Sequence, residues 1–141
     1  MEYISRSEKD TEELGERLAH SLPQHGVVIA MYGELGAGKT AFVRGLARGL
    51  EVEGHVVSPT FNIVNEFYGK RDLFHFDMYR LGSADELFDI GWEDYLNRGG
   101  VCAVEWSENV PEAFDGSEIR VTITKNSDTE RKIVIEGVEL C

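Results

Sequence analysis

Apolar residues recur along this chain with two different periods, and each change of period marks an element. In SEKDTEELGERLAHSL, Leu14, Leu18 and Leu22 return every four residues among polar neighbours, the spacing that lines one face of an α-helix. Ser7 and Thr11 are candidate N-caps, acidic side chains crowd the first turn, and Pro23 stops the helix. GVVIAMY (26–32) is instead an unbroken apolar run, as expected of a strand covered on both faces. A glycine-rich turn follows it, then a second helix running to about Leu50. GVCAVEW (100–106) repeats the buried-strand pattern.

Weaker patterns complete the outline. Residues 1–5 fit a short edge strand. SPTFNIVNEFYG reads as a strand beginning near Thr60, and RDLFHFDMYR as another with an apolar centre. ADELFDIGWEDYL reads as one helix, or as two short ones broken near Gly91. EIRVTITKN and RKIVIEGVEL alternate apolar and polar residues on either side of KNSDTE, a hairpin signal. Helices interleaved with buried strands and closed by a hairpin predict an α/β sandwich. Its mixed sheet has a parallel centre and a C-terminal antiparallel hairpin that extends one edge.

A chain of 141 residues makes one domain, spanning 1–141, with room for a sizeable core. No stretch approaches the roughly 20 apolar residues of a membrane helix, and the charged start MEYISRSEKDTEE has no apolar signal-peptide core. The expected location is the cytoplasm. Cys102, inside an apolar run, reads as a buried structural thiol, and Cys141 is the last residue, so no disulfide framework is expected. The charge changes the picture most. Fourteen basic residues against 26 acidic ones give −12, which makes direct high-affinity binding of nucleic acid unexpected.

The turn after the first buried strand carries the chemistry. GELGAGKT, Gly33 to Thr40, matches the G-x-x-x-x-G-K-[ST] phosphate-binding loop in full, between a strand and a helix as that loop requires. Glycines let successive N–H groups curl toward phosphate oxygens, and the helix start adds free N–H groups and a positive dipole end. Lys39 then reaches the β- and γ-phosphates, and the Thr40 hydroxyl is placed for Mg²⁺. Such a site needs a carboxylate at a neighbouring strand end. Asp77 ends LFHFD and Glu105 ends VCAVE. Each is a candidate to hold the metal or to handle the attacking water, and the sequence does not divide the roles. Trp106 is either a core aromatic or a lid beside the nucleotide. His75 shares a strand face with Asp77 and reads as a structural hydrogen-bonding group. Ser58 and Thr60 form either a simple turn or a loop that senses the γ-phosphate.

Taken in order, GELGAGKT, SPTF, HFDMYRL, ELFDIGWEDYL and VEW resemble the TsaE (YjeE) family over nearly the whole chain. The resemblance implies a P-loop NTPase-like three-layer α/β sandwich that binds ATP or ADP with Mg²⁺ and hydrolyses ATP slowly on its own. It implies a role in making N6-threonylcarbamoyladenosine at position 37 of tRNAs that read codons starting with A. It implies partners, the transferase TsaD and its paralogue TsaB. By motif, Gly33 and Gly36, Ala37, Gly38, Lys39, Thr40 and Ala41 would bind the nucleotide; Thr40 and Glu105 would ligate Mg²⁺; Asp77 would support metal or water; Trp106 would lie near the site; and Thr11 falls where the first helix approaches the base. Glu34 stands where some relatives carry Asp. Two rivals remain: a nucleotide switch that needs no turnover, and a small phosphotransferase, for which no arginine-rich lid is visible.

Overall fold

The computed structural model describes residues 1–34, 36–54, 63–79 and 84–140. Its elements run β1 (Glu2–Ser5), α1 (Glu8–Ser21), β2 (Val27–Tyr32), α2 (Lys39–Gly49), β3 (Val64–Phe67), β4 (Leu73–Asp77), α3 (Ala84–Asp89), α4 (Trp92–Leu96), β5 (Val101–Glu105), β6 (Ile119–Lys125) and β7 (Arg131–Glu136). Two 3₁₀ turns, Ser107–Asn109 and Pro111–Ala113, link β5 to β6.

One seven-stranded sheet has the order β1-β7-β6-β2-β5-β4-β3. Its centre is parallel, with β2 between β5 and β6 and β4 beside β5. Both buried runs land there, as strands shielded on two faces must. The β6–β7 hairpin continues the sheet beyond β2, and β1 then pairs with β7. The hairpin therefore extends the sheet as expected, while the edge itself is the N-terminal strand. The other edge is β3; its expected start near Thr60 lies outside the described residues.

Helices cover both faces, which makes three layers. On one, α1 and α2 press Leu14, Leu18, Phe42 and Leu46 onto Ile29, Met31, Ala103, Val121 and Ile133. On the other, α3 and α4 supply Leu87, Trp92 and Tyr95 to Phe74, Phe76, Cys102 and Val104. Each fully buried side chain of this size contributes about 1.5–3 kcal/mol. Ser7 is the N-cap of α1, accepting from the Asp10 amide at 3.0 Å. Thr11 lies inside the helix, 2% exposed, with Oγ1 2.7 Å from Ser5 Oγ. Gly91, at φ 96°, separates α3 from α4, so the longer apolar stretch is two helices. Among the described residues no helix is long and apolar enough to cross a membrane.

Candidate functional site

Alternation along the strands decides what reaches the site. Leu73, His75 and Asp77 face the α1/α2 side, as do Val101, Ala103 and Glu105, while Phe74, Phe76, Cys102 and Val104 face the other. Asp77 and Glu105 are paired positions at the C-terminal ends of β4 and β5. The loop after β2 ends at the same level, where ligands bind in open α/β sheets.

The loop has the backbone its glycines allow. Gly36 and Gly38 sit at φ 76° and 108°, a region that penalises other residues. Gly33 is constrained differently: a Cβ there would lie 2.6 Å from the Ile123 carbonyl oxygen. Gly38 is the N-cap of α2 and supplies no side-chain acceptor, so the helix begins with N–H donors turned to the loop. Ala37 turns its side chain into the core and gives its amide to the Glu34 carbonyl, 3.1 Å away.

A cleft of about 450 Å³ opens above this loop. Its walls include Thr11, Gly36, Gly38, Lys39, Thr40, Ala41, Asp77, Glu105 and Trp106, so the structure brings together most of the residues singled out in the sequence. Gly33 and Ala37 shape the loop from behind and do not line the cleft. Ser58 and Thr60 lie outside the described residues.

Lys39 is 5% exposed. Its Nζ donates to the Gly33 carbonyl at 2.6 Å and stands 3.8 Å from the centre of the Trp106 ring, within cation–π range. Burial pushes its pKa down, and the carboxylates of Glu105, Glu108 and Asp77 push back. Trp106 holds left-handed backbone, φ 57° and ψ 43°, which costs on the order of 1–3 kcal/mol and persists only where neighbours enforce it. Ser107 enforces it here: its hydroxyl donates to the Val104 carbonyl at 2.8 Å and accepts the Met31 amide at 3.1 Å. The Trp106 ring also leans on Tyr79, 5.1 Å between centres.

The two carboxylates differ. Glu105 is 3% exposed, and its Oε2 accepts from His75 Nε2, itself fully buried. Asp77 is half-buried and accepts the Tyr79 amide at 3.0 Å. Desolvation raises its pKa, as does the neighbouring Glu105, against the Tyr79 bond, His75 and Lys39.

One contributor escaped the sequence reading. Arg131, at the start of β7, donates through Nε to the Ala37 carbonyl at 3.0 Å and through Nη2 to the Gly36 carbonyl at 3.3 Å. It lines the cleft with Arg44, Glu8 and Asp128. Nothing in an alternating hairpin strand signals such a role, because its target lies 94 residues earlier.

The chain's likeness to known proteins agrees with this geometry. The family model for Threonylcarbamoyl adenosine biosynthesis protein TsaE matches residues 5–133. The chain belongs to the TsaE family. A tRNA threonylcarbamoyladenosine biosynthesis protein TsaE from Treponema pallidum (strain Nichols) is 36% identical over 135 residues, covering 96% of this chain and 99% of that one. The Synechocystis TsaE is 42% identical over 116 residues, 79% of this chain and 73% of its own. A crystal structure of Bacillus subtilis YdiB superposes with a TM-score of 0.78 at 27% identity, over 100% of this chain and 86% of that one. TsaE membership thus covers the loop, both strand-end carboxylates and Trp106 in a single match.

Proposed function

We propose that this TsaE-family chain is a Mg²⁺-dependent ATPase of low intrinsic turnover that serves threonylcarbamoylation of adenosine 37 in tRNA, acting in the cytoplasm on a complex of TsaB and TsaD. The observation that carries the ATPase reading is the convergence of an uncapped helix start, a buried lysine and two strand-end carboxylates on one cleft. A hydroxyl and two carboxylates are hard oxygen donors that suit Mg²⁺. Among the described residues no group of three or more His, Cys, Asp and Glu converges to hold a metal unaided, which fits an ion that completes its shell with phosphate oxygens and water.

The loop amides and Lys39 would bind the phosphates, and Thr40 and Glu105, with Asp77, would hold the metal. Bound Mg²⁺ supplies charge neutralisation at the β- and γ-oxygens. Asp77, oriented by the Tyr79 amide, positions water on the side of Glu105. Arg131 fixes the loop carbonyls so that the amides stay aimed inward, and Trp106 shields the phosphates from bulk water. Catalysis here is positioning and electrostatics, so a partner that orders the site raises turnover. The charge of −12 supports docking on a tRNA-handling complex in place of contact with tRNA.

One observation favours a second reading, a nucleotide switch: Lys39 rests on the Gly33 carbonyl and Trp106, an arrangement that phosphate would rearrange. ATP hydrolysis with Mg²⁺, on the chain alone and with TsaB and TsaD, tests the proposal. Stimulation by the partners, abolished in Lys39→Ala, is expected. If Glu105→Ala and Asp77→Ala lose turnover yet still support tRNA modification at full rate, the switch reading holds.

A further inference from the structure

His75 is a buried polar group beside the cleft whose presence the loop chemistry does not require. It is fully buried on β4, faces the α1/α2 layer, and lies outside the cleft walls. Its Nε2 meets Glu105 Oε2, and its Nδ1 is buried with no hydrogen-bond partner among the described residues. Donation to a carboxylate fixes a proton on Nε2; the other tautomer would set two lone pairs against each other. A buried polar atom left without a partner costs on the order of 1–3 kcal/mol; an apolar ring here would remove that atom but leave the buried Glu105 Oε2 without its donor. The position therefore keeps a donor even though Nδ1 is left unpartnered, and that donor has one target, Glu105 Oε2.

We propose that His75 is a positioning residue for Glu105: by holding Oε2 it fixes the carboxylate rotamer and leaves Oε1 to the metal. Glu105 alone would swing about three side-chain torsions at the end of β5. The register supports the role, because His75 sits two residues before Asp77, the position paired with Glu105, on the same face. Groups that hydrogen-bond to a metal-ligating carboxylate orient it, and their loss typically lowers metal affinity or activity about 10–100-fold. The inference rests on the proposed ATPase site, and the experiment separates the two.

ADP affinity in EDTA and Mn²⁺ affinity of the ADP complex, read by electron paramagnetic resonance, are measured for the wild type, His75→Phe, His75→Gln and Glu105→Ala. His75→Phe keeps a ring in the space and removes the donor, while His75→Gln keeps a donor on a flexible chain. The expected result is a loss of Mn²⁺ affinity of about 10–100-fold in His75→Phe, with ADP affinity in EDTA unchanged and substantial recovery in His75→Gln. Unfolding curves of the same proteins confirm that each variant is folded; His75→Phe should be less stable than the wild type, because the buried Glu105 Oε2 loses its donor. If Glu105→Ala loses Mn²⁺ while His75→Phe binds it like the wild type, the positioning role is overturned and the site stands. If the wild type holds no Mn²⁺ with ADP, the site reading falls and takes His75 with it. Should His75→Phe not fold, His75→Gln decides: Mn²⁺ affinity as weak as in Glu105→Ala, despite a retained donor, overturns the proposal.

Discussion

The two faces of the sheet are built differently, and only one carries the site. On the α1/α2 face, helices of 14 and 11 residues pack backbone to backbone. A Cβ on Gly45 would lie 1.8 Å from the Glu12 carbonyl oxygen, and one on Gly15 2.2 Å from that of Phe42. On the other face, α3 and α4 are 6 and 5 residues long, too short to be stable by themselves. Aromatic contacts hold that layer: Phe76 meets Trp92 at 5.1 Å and Tyr95 at 5.2 Å, edge to face. Rigid helix packing fixes the start of α2, and hence the loop amides, to the strand ends that bear Asp77 and Glu105. The aromatic face contributes stability and, of the residues singled out at the cleft, only Trp106, which packs against its cluster.

That contrast predicts separable effects. The largest belongs to Trp92→Ala, which should destabilise the fold by about 3–5 kcal/mol while the folded fraction keeps its affinity for ADP; denaturant unfolding and calorimetric titration measure the two. Gly45→Ala should cost about 3 kcal/mol, at the top of the range for overpacking because backbone cannot yield, and it should also weaken ADP binding, since α2 must shift. Equal losses of ADP affinity in both variants would erase the distinction between the faces.

Arg131→Ala sharpens the comparison within the site face. It frees the Gly36 and Ala37 carbonyls without opening the core, so ADP affinity should fall about tenfold, roughly 1.4 kcal/mol, with little change in unfolding midpoint. The smallest effect concerns Asp77, whose folded pKa is raised by burial. A group raised in this way binds its proton more tightly when folded, so its ionisation lowers stability as pH rises past the unfolded value near 3.8. Asp77→Asn should therefore melt slightly higher than the wild type at pH 7, with the advantage gone below the unfolded value, as thermal scans at the two pH values would show.

Legibility in the sequence followed the same divide. The strand–loop–helix unit was readable because period, glycines and Lys39 lie within one short segment. The strand-end positions of Asp77 and Glu105 were readable from the apolar runs they terminate. The pairing of His75 with Glu105 needed the β4–β5 register, which no local pattern encodes. Arg131 reaches the loop only because β7 folds back beside β6. The break at Gly91 was ambiguous because a glycine inside a helical pattern is compatible with one helix or two, and φ 96° decides it.

The chain's two tryptophans report directly on where nucleotide binds, because one lines the cleft and the other does not. Trp106 lines the cleft, whereas Trp92 is 1% exposed in the aromatic cluster beneath α3 and α4. Intrinsic fluorescence is titrated with ADP and Mg²⁺ in Trp92→Phe and in Trp106→Phe. A nucleotide-dependent change that survives in Trp92→Phe and vanishes in Trp106→Phe places the nucleotide above the loop beside Trp106, and this is the expected result. A change carried by Trp92 alone, or none in either protein under conditions where ADP binds, would contradict it.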